Sequence, residues 1–425
     1  MQSNLLIEKI ENGEYNEKLK RLYGDAKAQS ARRRCIGALE NFNALYGGGD
    51  VEIISVPGRS EVLGNHTDHN RGRVLAAAIN LDVIAVVAKS LAPRIRIKSE
   101  GFEADDIGIT DLAARESEKF TSAAIIRGIC GRFAEAGHQI GGFDAYTTSD
   151  VQKGSGLSSS AAFEVMVGFI LNRQYNNGKI SALEIARIGQ YAENNYFGKP
   201  CGLMDQTACS TGGFISIDFR DLANPVVEKL DFDLSKSGYS LCIVSTGGSH
   251  HSQNDEYAAM PNEMKQIAAH FGKDVLREVD RAAFAENIGE LRKRCGDRAV
   301  LRAMHYFAEN ARVHAGAEAL KEGNFEGFLR LVASSGNSSY KYLQNVYDPS
   351  TPKDQGLALA LAVSEEALAK IPAAVRVHGG GFSGTIQAFV PKKHVDGYFK
   401  KIGGVFGEGA CLELSVRNEG AAAVM

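Results

Sequence analysis

The segment "VQKGSGLSSSAAFEVMVGFILNRQ" (residues 151–174) sets two glycines, Gly154 and Gly156, and three serines, Ser158, Ser159 and Ser160, directly before a long apolar run. Glycines let the backbone approach a ligand closely. The free N–H groups at a helix start, with the dipole behind them, favour an anion such as phosphate; a charge there contributes about 0.3–1 kcal/mol when exposed. A Walker loop would need Lys-Ser/Thr after its last glycine, and the dinucleotide fingerprint would need a third glycine where Ser159 stands, so neither is present. The competing explanation is that the serines only cap a helix. One cap needs one serine, and three lean toward phosphate and Mg²⁺.

Three other stretches carry groups capable of chemistry. "HGGGFSGT" (378–385) is a second glycine-rich turn between strand-like runs. Alone it reads as a tight hairpin, but two such loops in one chain favour a bound polyphosphate. "CGLMDQ" (201–206) offers Asp205 after Gly202, as a base or a helix N-cap. Glu193, on the helical pattern before it, would ordinarily be a solvated charge. "PGRSEVLGNHTDHNRGRVLAAAIN" (57–80) gathers Arg59, Asn65, His66, Asp68 and His69 ahead of an apolar run. Two histidines and one aspartate are thin support for a metal site, and hydrogen bonding is the preferred reading.

These groups need a scaffold, and the rest of the sequence supplies one. Residues 1–48 read as helical, with "GGGD" breaking before the strand "VEIISV", so the 57–80 motif is expected in the turn that follows a strand. Strands are expected at 73–90 and 94–101, and helices at 120–137, 160–175 and 182–198. A second block starts near residue 237 with "YSLCIVSTGG", continues as helical patterns at 258–333 and 354–370, and closes on "AAVRVHGGGFSGTIQAFVP" and "GACLELSVR". No regular βαβ repeat emerges, so the fold class is α+β in two domains, with a soft boundary near 230.

Among 425 residues, 44% hydrophobic and 23% charged is ordinary for a globular protein, and a net charge of -3 with interspersed signs excludes nucleic acid as the expected partner. The basic cluster "ARRRC" reads as a solvated helix face. No apolar run approaches the roughly 20 residues of a membrane span. Seven scattered cysteines without CxxC spacing fit reduced thiols, and the N-terminus lacks a signal-peptide pattern, so a cytoplasmic protein is expected.

"PGRSEVLGNHTDHNRGRVLAAAI", "KGSGLSSSAA", "CGLMDQ" and "HGGGFSGT", in this order, resemble the GHMP small-molecule kinases and, within them, the galactokinase family. The resemblance covers roughly residues 50–400, and "STGGSHHSQNDEYAAMPNEM" resembles the family stretch ending in a sugar-contacting tyrosine, here Tyr257. It implies a 49–232 domain like ribosomal protein S5 domain 2 and a ferredoxin-like 233–425 domain, after a 1–48 helical extension. The implied reaction transfers the γ-phosphoryl of Mg²⁺-ATP to the anomeric hydroxyl of galactose. By resemblance, Asp205 is the base and Arg59 holds it ionised. Asn65, His66, Asp68, Gly202 and Tyr257 bind the sugar. Gly154, Ser155, Gly156, Leu157, Ser158, Ser159 and Ser160 wrap the ATP phosphates, with Gly379, Gly380 and Gly381 as buttress, and Ser160 and Glu193 hold Mg²⁺. The implied partners are sugar and ATP alone, which a monomer can accommodate.

The family usually reads "GRVNLIGEHTDYN" where this chain reads "GRSEVLGNHTDHN", so Asn65 replaces a glutamate that the resemblance places near the sugar C6 hydroxyl. Asparagine can donate as well as accept. The resulting expectation is galactose with a relaxed C6 preference, with a C6-modified sugar such as galacturonate as the alternative. A catalytically silent sugar sensor is the reading from another class. The stretch "SSGNSSYKYLQNVYDPSTP" (334–352) also departs from the family.

Overall fold

The computed structural model describes every residue except 152–155 and 248–253, with Asn254 described by its backbone alone. Strands β1 (Glu52–Leu63) and β2 (Arg73–Ser90) are buried on both faces over nearly their whole length, hence their continuous apolar runs. Alternate side chains diverge. Ile53, Ile84 and Val86 meet Leu6, Leu22, Leu39 and Phe42 of helices α1 (Ser3–Glu11), α2 (Asn16–Tyr23) and α3 (Asp25–Tyr46). Ile54, Val83, Ala85 and Val87 meet Ile129, Phe133, Val165 and Ile170 of α4 (Ser122–Glu135) and α5 (Ser159–Asn176). Residues 1–48 are therefore helical as expected, and they roof one face of the main sheet.

Among the described residues that sheet has eight strands. Besides β1 and β2 it holds β3 (Arg94–Ser99), β4 (Ala104–Gly108), β5 (Gly142–Ser149), β6 (Phe214–Asp218) and β7 (Val226–Leu230). The long β2 pairs with β6 along its first residues and with β5 along its last. Helix α6 (Ala182–Ala192) runs into a wide π-type turn, Glu193–Phe197, and α7 (Met204–Thr211) follows.

Beyond the sheet come β8 (Tyr239–Ser245), α8 (Asn254–His270), α9 (Arg281–Glu286), α10 (Ile288–Cys295), α11 (Asp297–Lys321) and α12 (Phe325–Ser338). The 258–333 pattern is thus several helices in succession. A second π-type turn, Ser339–Leu343, precedes α13 (Gly356–Leu368), β9 (Ala374–His378), β10 (Thr385–Pro391), α14 (Val395–Phe406) and β11 (Cys411–Leu414). These strands form an antiparallel sheet in the order β11-β8-β10-β9. Leu241, Ile243 and Phe389 pack with Val313, Phe328 and Val332 of α11 and α12. Cys242, Val244 and Ile386 pack with Leu357, Tyr398 and Ile402 of α13 and α14.

Two features differ from the sequence reading. Arg59 lies within β1, where a register shift between Pro57 and Arg59 redirects the strand, rather than in a turn after it. The chain also returns to its start: β12 (Ala422–Ala423) pairs with β1, so the 233–425 segment ends in the first sheet.

Asp82, fully buried on β2, fastens that return. It accepts hydrogen bonds from Tyr23 Oη at 2.6 Å and Arg417 Nη1 at 3.3 Å, and from Ser55 and Arg34. Burial pushes its carboxyl up, but the Arg34 and Arg417 guanidiniums with the Ser55 and Tyr23 hydroxyls hold it below its ordinary value. Asp82→Ala leaves the fully buried Arg417 without its counter-charge, and denaturant titration should show a loss of about 3–5 kcal/mol. A depressed folded-state pKa gives stability that is present above the unfolded value and lost as pH falls through the folded one. The gap between wild type and Asp82→Ala should therefore hold from pH 8 to pH 5 and close only in stronger acid.

Candidate active site

The redirected strand at Pro57–Arg59 brings β1 against the start of α5. A Cβ on Gly58 would lie 2.6 Å from the Leu157 carbonyl oxygen, so only glycine permits the approach. The Arg59 N–H then donates to that carbonyl at 3.1 Å. The Arg59 guanidinium turns to Asp205, the second residue of α7, donating from Nε to Oδ1 at 2.8 Å and from Nη2 to Oδ2 at 2.8 Å. Its Nη1 donates to the Gly156 carbonyl at 2.5 Å. Forked pairs of this kind fix geometry as well as charge.

Ser158 stands before α5 in the left-handed region, φ 62° and ψ 52°, which a residue with a side chain adopts at a cost. Its hydroxyl makes no cap bond to the helix and donates to Asp205 Oδ2 instead. The capping explanation therefore fails for Ser158. Burial pushes the Asp205 carboxyl up, but the Arg59 charge, the hydrogen bonds from Arg59 and Ser158, and Lys199 hold it below its ordinary value. Asp205 is ionised at neutral pH.

At the start of α5 a cleft of about 580 Å³ is lined by Ser159, Ser160, Glu164 and Glu193, with Phe102, Phe120 and Phe197 among its apolar walls. That volume suits a small ligand. Gln206 Nε2 bridges the two glutamates, donating to Glu164 Oε2 at 2.8 Å and Glu193 Oε2 at 3.1 Å. Burial and the adjacent Glu193 push the Glu164 carboxyl well above the usual range. Glu164 Oε1 is buried without a hydrogen-bond partner. Ser160 and the Glu193 carboxylate thus share one cleft with the orphaned Glu164 oxygen, whose carboxyl a cation in the cleft would ionise, a set of hard oxygens that fits Mg²⁺. No cluster of three or more His, Cys, Asp or Glu placed to hold a metal occurs among the described residues, and Mg²⁺ bound through one or two side chains plus phosphate needs none.

The loop after β1 carries the remaining polar groups. His66, at φ 56°, lies within 2.9 Å of the Gly380 carbonyl through Nε2. A carbonyl only accepts, so Nε2 carries the hydrogen. Burial and the neighbouring His69 ring push the imidazole down to about 4, so it is neutral and keeps an acceptor lone pair on Nδ1. Asp68 Oδ1 accepts the His69 N–H at 2.9 Å, and its Oδ2 would lie 2.5 Å from a Cβ on Gly202. Tyr257 on α8 donates from Oη to the Gly381 carbonyl at 2.9 Å and packs edge-on to Phe382.

The structure thus unites Arg59, Asp205, Gly156, Leu157 and Ser158, and separately Asp68 with Gly202 and His66 and Tyr257 with Gly380 and Gly381. Gly154 and Ser155, and the 248–253 part of the Tyr257 motif, lie outside the described residues. Gly379, Gly380 and Gly381 bond to Asn65, His66 and Tyr257, whereas a Cβ on Gly156, ahead of α5, would lie 3.3 Å from His378 Nδ1 and 3.4 Å from Thr385 Oγ1, so the buttress expected of the 379–381 turn falls to its neighbours instead. Asn65 is fully buried, and its amide is engaged by protein groups on every side. Sequence reasoning passed over Glu164, Gln206, His378 and Asn345; of these only Glu164, five residues after Ser159 on the same helix, gave a pattern that could have been read.

Comparison with known proteins gives this arrangement a family. The family model for the GHMP kinases N terminal domain matches residues 124–213, which defines the class as a GHMP kinase. The galactokinase galactose-binding signature matches residues 40–89. The chain belongs to the galactokinase family: it is 32% identical over 374 residues to a galactokinase of Streptomyces coelicolor, covering 86% of this chain and 92% of that one. A galactokinase of Lactobacillus helveticus is 29% identical, over 87% of this chain and 93% of the relative. In fold, it is similar to the Lactococcus lactis galactokinase solved with galactose, with a TM-score of 0.75 at 23% identity over 90% of this chain and 98% of that one. The Methanococcus jannaschii mevalonate kinase has a TM-score of 0.61 at 15% identity, over 87% of this chain and 99% of that one. The α+β GHMP kinase fold is therefore the fold of this chain.

Gly202→Ala tests the Asp68 contact. The added Cβ must displace Asp68, so steady-state kinetics should show KM for the sugar raised about tenfold or more, with KM for ATP unchanged, as a lost positioning contact predicts.

Proposed function

We propose that this protein is an ATP-dependent galactose 1-kinase, and the observation that carries the reading is the forked Arg59–Asp205 pair set between the start of α5 and the sugar loop. Asp205 accepts a hydrogen bond from the C1 hydroxyl and orients its oxygen toward the γ-phosphorus. A carboxylate this acidic is a weak full base, so the hydroxyl proton passes late, as a loose phosphoryl-transfer transition state allows. Arg59 keeps Asp205 ionised and places positive charge beside the moving phosphoryl group. His66 and Asp68 hold sugar hydroxyls, with Gly202 giving Asp68 room and Tyr257 supporting the wall.

The backbone from Gly156 to Ser160 at the α5 N-terminus would wrap the ATP phosphates, with His378 and Thr385 beside Gly156. Ser160 and Glu193 would hold Mg²⁺, which neutralises charge on the β- and γ-phosphates. Phe102, Phe120 and Phe197 line the cleft where the nucleotide base stacks. One chain carries every group named, so a monomer suffices. A cytoplasmic setting fits the unpaired cysteines, and no helix among the described residues is long and apolar enough to cross a membrane.

Coupled ATP-consumption assays with galactose and Mg²⁺ should show turnover that Asp205→Ala lowers about 10²–10⁴-fold, with galactose affinity within severalfold of wild type. Retention of a tenth of wild-type kcat would refute the role of Asp205, and an inactive wild type would favour the sugar sensor. Because Asp205 titrates below the ordinary carboxylate range, kcat should stay flat from pH 8 to pH 5 with no acid limb from this group.

Asn65 presents no unengaged amide group to a C6 substituent, so the galacturonate alternative loses the residue on which it rested. A site that hydrogen-bonds a substrate hydroxyl rejects the analogue lacking it by about 10⁴–10⁵, while loss of a loosely held group costs about 10–200-fold. L-Arabinose, which is galactose without C6, should fall in the lower range in kcat/KM, and a value beyond 10⁴ would show that another residue reads C6.

A further inference from the structure

Asn65 uses all four of its amide hydrogen-bonding positions inside the protein. Nδ2 donates to Glu61 Oε1 at 2.9 Å and to the Gly379 carbonyl at 2.7 Å. Oδ1 accepts from Asn345 Nδ2 at 2.7 Å and from Ser339 Oγ at 3.4 Å. Its backbone carbonyl lies 2.9 Å from His305 Nε2 on α11, and the N–H of Gly64 just before it donates to Glu309 Oε1 at 2.9 Å on the same helix. Apart from Glu61, the groups that grip Gly64 and Asn65 thus come from beyond residue 300.

Asn65 and its partner Asn345 also hold the second glycine-rich turn. Gly379 is held through its carbonyl by Asn65, Gly380 by His66 and by Asn345 Nδ2 at 3.0 Å, and Gly381 by Tyr257. A Cβ on Gly381 would lie 2.1 Å from the Asn345 carbonyl oxygen, so the turn has no slack on that side. One residue before it, His378 Nε2 lies 3.1 Å from Ser60 Oγ, and the adjacent Arg59 donates from Nη1 to the Gly156 carbonyl at 2.5 Å. A continuous chain of contacts therefore runs from the sugar loop through Asn65 and the turn to the end of the phosphate loop.

We propose that Asn65 is a positioning residue that locks the sugar loop to the 379–381 turn, so that sugar affinity and nucleotide affinity depend on each other. This rests on the kinase reading and extends it, since that reading needs two occupied sites but no coupling between them. The side chain must donate to a carboxylate and a carbonyl at once, which no carboxylate at position 65 can do. Glutamate or aspartate there would also bury a second negative charge against Glu61, itself 6% exposed and paired with the fully buried Arg376. In the family string quoted above, asparagine and glutamate stand at the positions of Glu61 and Asn65 respectively. This chain has exchanged them, and the two exchanged side chains are bonded to each other.

Calorimetric titration of galactose into the full-length protein, with and without saturating Mg²⁺-ADP, measures the coupling as a ratio of dissociation constants. Wild type should show a ratio of about 5 or more. Asn65→Asp should bring it within about twofold of unity, because the bond to Gly379 is lost. Glu61→Gln with Asn65→Asp removes the charge clash and restores donation between the two side chains, yet leaves Gly379 without its donor. That double variant should melt above Asn65→Asp but not regain the coupling. A double variant with wild-type coupling, or a wild-type ratio near unity, overturns the proposal while galactose turnover leaves the kinase reading standing; absence of turnover overturns the kinase reading and this inference with it.

Discussion

The forked contact between Arg59 and Asp205 is the constraint around which the rest of the molecule is arranged. In the proposed reaction a carboxylate must sit beside a nucleotide's phosphates without repelling them, which requires an opposite charge fixed against it. A lysine would supply the charge but not the two parallel bonds that fix the direction of the carboxylate. The fork in turn demands that β1 shift register at Gly58, that Ser158 take a left-handed conformation, and that α7 begin where Asp205 can reach back. The main sheet, roofed by α1–α3 and floored by α4 and α5, keeps those positions from drifting.

Much of this was legible in the sequence, for a plain reason. β2 and α5 are long, regular and sealed in the core, so their apolar runs carry the signal without interference. The "KGSGLSSSAA" stretch was legible as the start of α5, whereas "CGLMDQ" left Asp205 open as a base or an N-cap, and it stands inside α7 after Leu203 takes the cap position. β5, β6 and β7 were not picked out: they are short, and "GFDAYTTS" and "VVEKL" mix polar and apolar residues without a clear period. Arg59 was expected in a turn because glycine and proline before it punctuate the sequence, and here they mark a bulge inside a strand instead.

Asn65 shows the other limit. From the motif alone its position invites a role at the ligand, since its neighbours His66 and Asp68 are polar and partly open. What decides its environment is Asn345, Ser339 and Gly379, nearly three hundred residues away, and no local pattern announces them. The π-type turn at Ser339–Leu343 is similarly silent in sequence, although it delivers Ser339 to Asn65 and leads to Asn345. Long-range polar contacts of this sort follow from the fold and cannot be read ahead of it.

One apolar cluster joins Val62, Leu63, Leu75 and Ala77 of the first sheet to Leu241, Val313, Phe328 and Phe389 of the second half. The two halves therefore share an interior, and swinging them apart would expose side chains that each contribute roughly 1.5–3 kcal/mol by staying dry. When heated, the molecule has one interior to lose, and the two halves melt together.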